Sequence, residues 1–302
     1  MGQPAFVDGH VHFFDLQEPT LHYSWLQPDV RELDPIGPIG ALQAQRYWAE
    51  DFLAESRFSD VEAVIHVDAA SDQADPVAET RWIQDFSDRL GVPHGHIARC
   101  DLARPDAGAI IDRHRTYPVL RGVRDLRYDG YLTDAAWQRG FALLADTGLV
   151  CCMDPLVEQM RHAAALIEAH ETVAVCIDHA SYPRRRDDDY FRAWRDGLRA
   201  VARNPNAVVK ISGLGMVDHE WTVESIRPWV TTCIEAFGAE RSLFGSNWPV
   251  DRLYSSYTDV VAAYRELVSE FSAAEQHALL AGNARRIFHL SPNQTTANTD
   301  KE

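Results

Sequence analysis

Eight short apolar runs rich in β-branched residues, amphipathic stretches spaced between them, and a histidine pair at the end of the first run predict an α/β protein. The specific expectation is a (β/α)8 TIM barrel in a single domain. The runs are AFVDGH near 5–10, VEAVIHVDA near 61–69, HGHIARCDL near 94–102, VLRGVRDL near 119–126, GLVCCMDP near 148–155, TVAVCIDHA near 172–180, AVVKISGL near 207–214 and RSLFGSNWP near 241–249. Between them, PVAETRWIQDFSDRLG, AGAIIDRHRTYP, TDAAWQRGFALLADTG, LVEQMRHAAALIEAHE and DYFRAWRDGLRAVARNP space their apolar residues three and four apart, as helices do. Thr133 and Asp134 precede one of these stretches and Gly91 and Gly148 follow others, matching cap preferences. Strand–helix alternation sustained over about 250 residues favours a closed barrel over an open sheet, and one domain over two.

The exceptions to the alternation are informative. Residues 16–45, with LHYSWLQPD and the turn-rich DPIGPIGA, form an irregular insertion after the first strand, placed over the barrel mouth. Residues 257–290 read as helical, so the barrel spans 1–290, and the polar segment 291–302 reads as a disordered tail.

Lys and Arg total 29 against 45 for Asp and Glu, a formal charge of -16, which repels phosphate backbones and anionic membranes. A nucleic-acid partner is therefore not expected. The densest basic run, Arg184 to Arg186, is followed at once by Asp187 to Asp189 and reads as a solvated loop and helix start. Membrane-length apolar segments and signal-peptide features are lacking, so a soluble cytoplasmic protein is expected. Cys100, Cys151, Cys152, Cys176 and Cys233 include no CxxC pair, and four lie in apolar strand-like runs, so they read as reduced core thiols. A homo-oligomer stays open.

In a barrel of this kind active sites gather at the C-terminal strand ends. Asp8, His10 and His12 share parity on the first strand, so their side chains can converge at the mouth. His179 ends the sixth strand and Asn247 the eighth. The alternative is that His10 and His12 merely cap the strand end through loop carbonyls.

VDGHVHFFD, YSWL, RYWAEDF, GVRDL, IDHASYP and LFGSNWPVD together resemble the amidohydrolase superfamily. The resemblance is to its amidohydrolase-related branch of sugar lactonases, fuconolactonase-like and rhamnonolactonase-like, and pyrone dicarboxylate lactonase, and it covers roughly residues 5–290. Metal-dependent members hold one or two divalent ions with the HxH pair, histidines on strands five and six, and an aspartate on strand eight. Here strand five, LVCCMDP, has no histidine, and Asn247 stands where the aspartate is expected. A single divalent ion, zinc or manganese, would have only His10, His12 and His179 as ligands, with Asp154 a possible substitute on strand five. The resemblance also implies a route by side chains alone, so no cofactor is obligatory.

The expected function is a hydrolase of a small-molecule substrate: activated water attacks the ester carbonyl and opens the lactone ring of a sugar acid or related small carboxylic acid. A lactone needs less activation than an amide because an alkoxide leaves more readily than an amine. Water must lose a proton and the carbonyl oxygen must be stabilised, and histidine suits both tasks near neutral pH. His10, His12 and His179 are assigned to these tasks without distinguishing their roles. Asn247 can donate to the oxyanion or position water. Asp251, four residues on, either reaches back as the missing carboxylate or caps the loop. Arg124 is suited to grip a carboxylate or hydroxyl-rich ligand, unless Arg121 and Asp125 engage it in an internal ion pair. Tyr23 and Trp25 can wall a sugar ring or simply pack the insertion onto the barrel; Trp248 reads as core or rim. The rival functions are a lactone isomerase, an aromatic-acid decarboxylase, and a barrel that binds ligand without catalysis.

Overall fold

The protein is described by a computed structural model covering residues 4–126 and 130–291. All but Ser291 of the expected tail lies outside the described residues. Eight parallel strands form one sheet in sequence order: β1 (Phe6–Val11), β2 (Val61–Val67), β3 (Gly95–Arg99), β4 (Leu120–Arg124), β5 (Val150–Met153), β6 (Ala174–Ile177), β7 (Ala207–Ile211) and β8 (Ser242–Phe244). The sheet closes where Val11 bridges Trp248 in parallel, with His12 N–H donating to the Trp248 carbonyl at 2.7 Å and Asn247 N–H to the His10 carbonyl at 2.8 Å. Glycine makes that closure feasible: a Cβ on Gly245 would stand 2.6 Å from the His10 Cβ.

Every predicted strand is present, and all but β1 end before their apolar runs do, because the polar residues there turn into loops. Helices at Ala49–Ser56, Ala78–Leu90, Ala107–Arg115, Ala135–Ala142, Met160–Ala169, Asp188–Ala202, Val223–Phe237 and Tyr257–Leu267 cover the outside. Asp134 caps its helix by accepting from Ala136 N–H at 2.8 Å, and Asp187, at the end of the Arg–Asp run, does the same for Tyr190 N–H at 3.0 Å. The expected helical stretch 257–290 is broken into Tyr257–Leu267, Ala273–His277, a π-helical turn at Ala278–Gly282 and Asn283–Ile287.

Two apolar layers result. The larger lies between sheet and helices. The smaller fills the barrel interior, where Val7, Ile65, Ile97, Val150, Cys152, Cys176 and Leu243 point inward and Phe288 joins them from the C-terminal segment. All five cysteines are free and buried. Among the described residues no helix is long and apolar enough to cross a membrane.

The insertion is ordered into a closed loop. Phe14–Asp15 pairs antiparallel with Arg46–Tyr47 at its base, Ser24–Leu26 forms a 3-10 turn, and Glu32–Leu33 pairs with Gly37–Pro38 at its tip. Leu21, Leu26, Ile39 and Leu42 are buried beneath it, which fixes it to the barrel mouth.

Candidate active site

A cavity of about 250 Å³ opens at the C-terminal face, with His12, Asp68, Arg124, His179, Tyr182 and Asn247 from the barrel on its walls. Trp25, Leu33, Asp34 and Ile36 from the insertion cover it. Side chains from three other loops pin that cover: Arg184 donates to Asp34 Oδ2 at 2.9 Å, His219 Nε2 donates to the Pro35 carbonyl at 3.1 Å, and the Tyr254 hydroxyl donates to the Ile36 carbonyl at 2.6 Å. Trp25 is itself anchored, its indole N–H donating to the Ala69 carbonyl at 2.8 Å.

His10 and His12 come together at the mouth, with Nε2 atoms 3.2 Å apart. A register shift between Asp8 and Val11 separates them from Asp8, which departs from the shared parity expected of the three. Asp8 instead accepts from the Ser246 N–H at 2.8 Å and the Tyr257 hydroxyl at 2.9 Å, tying β1 to the turn after β8. His12 Nδ1 lies 2.9 Å from the Val67 carbonyl, which only accepts, so the proton of neutral His12 is on Nδ1 and its Nε2 carries a lone pair. Burial, then the Arg124 charge, pulls His12 down to about 3. His10 and His179 are also held well below the usual histidine range, each by burial first and then by neighbouring positive charge. All three are neutral at physiological pH.

His179 and Tyr182 reach the wall through an unusual backbone: His179, Ala180, Ser181 and Tyr182 all have φ between 48° and 60°. Left-handed conformation costs non-glycine residues roughly 1–2 kcal/mol each. The surroundings hold this turn in place, because Trp194 donates to the Ala180 carbonyl at 2.8 Å and the Tyr190 hydroxyl to the Tyr182 carbonyl at 3.0 Å. His179 Nδ1 meets Ser212 Oγ at 3.0 Å. Beneath it Gly213, at φ 63°, has no room for a side chain, since a Cβ would lie 2.7 Å from His179 Nδ1.

Arg124 is buried and its pair is not with Asp125, as one sequence alternative had it. Its Nε donates to Asp68 Oδ2 and a terminal nitrogen to the Asp68 carbonyl, both at 2.8 Å. Burial works against the Arg124 charge, but Asp68, Asp178 and Asp154 more than offset it and raise its pKa. Asp125 serves structure, accepting from Leu102 N–H and the Trp137 indole.

Asn247 lines the cavity, and its amide nitrogen donates to Asp251 Oδ1 at 3.1 Å. Asp251 is fully buried behind it and outside the cavity wall, pushed up to about 7 by burial against the pull of Asn247 and the Gly215 and Met216 N–H groups. It therefore does reach back, but to Asn247 rather than to the cavity. Tyr23, expected beside Trp25 as an aromatic wall, is instead core: 1% exposed and edge-on to Phe14. Trp248 is core as well, its indole donating to Glu55. Asp154 is buried below the cavity and pushed up to about 7 by burial, against the pull of Arg124.

Sequence reasoning did not single out Asp68, Asp178, Lys210 or Ser212. Lys210 had a visible signal, a charge inside the otherwise apolar run AVVKI. Asp178 stands in the quoted IDH motif.

The donors suit a divalent ion in chemistry but not in spacing. His10 and His12 Nε2 can share an ion, but among the described residues no third His, Cys or carboxylate atom lies within 4.8 Å of both. The rings of His12 and His179 do flank that of His10, with centroids 4.8 and 4.5 Å away, but among the described residues their nitrogens do not all lie within 4.8 Å of one another, and Asp154 belongs to no such group.

A closed parallel barrel with neutral imidazoles and a buried arginine around a small mouth cavity defines an enzyme-type site at the C-terminal strand ends. The chain belongs to the Amidohydrolase family, whose model matches residues 7–290. It is 34% identical to the protein y4mH of Sinorhizobium fredii, an alignment covering 96% of this chain and 100% of that one. It is 27% identical to an L-fucono-1,5-lactonase of Burkholderia multivorans, covering 94% and 96%. Two crystal structures of an amidohydrolase from Burkholderia multivorans superpose with TM-scores of 0.81 and 0.80 at 26% and 25% identity, covering 95% of this chain and 100% of theirs. One holds HEPES and the other zinc.

Proposed function

We propose that this enzyme opens the lactone ring of a small sugar acid, in the manner that the name of its L-fucono-1,5-lactonase relative describes. The observation that carries the reading is His12: neutral, fixed by the Val67 carbonyl with its lone pair on Nε2, on the wall of a cavity that Arg124 shares. The cavity, about 250 Å³, is smaller than the roughly 300–1,000 Å³ typical of drug-sized ligand sites and suits a single ring.

Arg124 binds a carboxylate or hydroxyl of the substrate while Asp68 keeps its fork in place. His12 Nε2 takes a proton from the attacking water, its one lone pair leaving the 3.2 Å contact with His10 Nε2 as it does so. Substrate oxygen beside Arg124 offsets the positive field that depresses His12, and so raises its proton affinity as the reaction proceeds. His179, its Nδ1 engaged by Ser212, presents Nε2 to the carbonyl oxygen where negative charge develops, and Asn247 orients the water. The ring oxygen leaves as an alkoxide and takes up the proton, so the product is the open hydroxy acid.

A pH-stat screen of aldonolactones and dicarboxylic lactones, with product identity by NMR, tests the proposal. Net hydrolysis to the hydroxy acid supports it. Ring migration without hydrolysis identifies an isomerase, release of carbon dioxide identifies a decarboxylase, and either overturns it.

A further inference from the structure

The chain has only two lysines, Lys210 and Lys301, among 29 cationic side chains. Lys210 lies on β7 inside the barrel and is 0% exposed. Its ammonium stands 2.9 Å from Asp178 Oδ1, 4.0 Å from Cys152 Sγ and 5.3 Å from the centre of the Phe288 ring. Cys152, Cys176 and Asp178 offer donor atoms within 4.8 Å of one another, the one such cluster among the described residues, and Lys210 supplies the positive charge at that cluster. Everywhere else in the described residues the chain's cationic side chains are arginines, and here a compact ammonium is used instead.

The second oxygen of Asp178 makes no hydrogen bond. It faces His10 Nδ1 at 3.8 Å and an Arg124 nitrogen at 3.9 Å, and His10 Nδ1 has no hydrogen-bond partner either. A buried carboxylate left half unsatisfied between two site residues is costly unless something requires it there.

We propose that Lys210 and Asp178 form a positioning unit, in which Lys210 clamps one carboxylate oxygen so that the other stays aimed at His10 and Arg124 as charge moves through the site. Neither residue touches the substrate; both act through His10 and Arg124. Burial opposes the Lys210 charge, but Asp178 and the nearby thiols outweigh it, so the ammonium stays protonated well above its usual range. This inference rests on the reading of His10, His12 and Arg124 as the reacting side chains.

The discriminating variant is Lys210→Met with Asp178→Leu, which removes both charges and keeps the volume. Exchanging a buried ion pair for apolar residues is commonly neutral or stabilising, so the double variant should melt at or above the wild-type temperature, while Lys210→Met alone melts much lower. If the pair positions His10 and Arg124, the stable double variant still loses kcat by about 10–100-fold, with KM changed by less than about threefold. Its His10 imidazole nitrogen resonances should also move. A stable double variant with kcat within about threefold of wild type overturns the proposal and leaves the pair a structural one. If wild type opens no lactone, the proposed function fails separately, and the imidazole resonances decide: His10 signals unmoved in the double variant overturn the positioning role.

Discussion

The two ends of the barrel interior are built from the same strands with the same inward alternation, yet they differ in kind. At the N-terminal end Val7, Ile65, Ile97, Val150 and Leu243 pack with Phe288 into an apolar plug. At the C-terminal ends of β2, β4 and β6 the interior is instead polar, with Asp68, Arg124, Asp178 and His179 all buried, and Lys210 of β7 reaches Asp178 from beside Leu243 and Phe288. The lower end is held by burial of apolar surface; the upper end is held by pairing, and each member of a pair is expensive once its partner is lost. A reacting side chain removed from the mouth should cost rate, whatever the loss of a paired charge there does to stability, and one removed from the plug should cost stability alone.

The largest expected effect is at the mouth. His12→Ala should lower kcat/KM by about 10²–10⁴-fold with a melting temperature close to wild type, as read by steady-state kinetics and calorimetry. An unchanged rate would break the contrast between the two ends. Next comes Leu243→Ala in the plug, which should destabilise by about 2–5 kcal/mol in denaturant titration and leave kcat unaltered, provided it is assayed below its new melting point.

A smaller effect separates the ends by pH. Asp154 and Asp251, both pushed up to about 7 by burial, hold protons in the folded chain that the unfolded chain has already released above its usual carboxylate range near 3.8. Their contribution is fully present below that lower value and is lost as pH rises through about 7. Asp154→Asn should flatten this fall and be more stable than wild type at pH 8 by on the order of 2 kcal/mol, from melting curves across pH. Parallel curves for the two proteins would show that Asp154 is not the source.

The smallest effect is at the cover of the cavity. Arg184 is partly exposed and Asp34 fully on the surface, so Arg184→Ala should change stability by less than about 0.5 kcal/mol. Its effect should appear in KM, raised severalfold by a less firmly held insertion tip.

How much of this was legible in the sequence follows the same division. The alternation of apolar runs revealed the eight strands and five of the outer helices, and the helical reading of 257–290 held a sixth, Tyr257–Leu267. Val223–Phe237 was hidden by Pro228 inside it, and Ala49–Ser56 by its short length after the insertion. His10, His12, His179, Arg124 and Asn247, which stand on or beside the cavity, could be found because strand ends can be located from periodicity. The partners cannot be read that way. Arg124 and Asp68 are 56 residues apart and meet only because β2 and β4 lie one strand apart in the barrel. Asp8 was misplaced because a register shift within a strand leaves no mark on its alternation. Tyr23 and Trp25 are two residues apart and look equivalent, yet a 3-10 turn at Ser24–Leu26 breaks strand parity, sending one to the core and the other to the cavity.

The most direct test is the initial rate of lactone opening by chelator-treated protein of measured metal content, beside His12→Ala prepared in the same way. Side-chain catalysis at the mouth predicts that wild type opens at least one sugar-acid lactone well above the buffer rate with metal far below one ion per chain, and that the variant does not. No lactone opened faster than buffer, or a rate that returns only when zinc or manganese is added back, would contradict it.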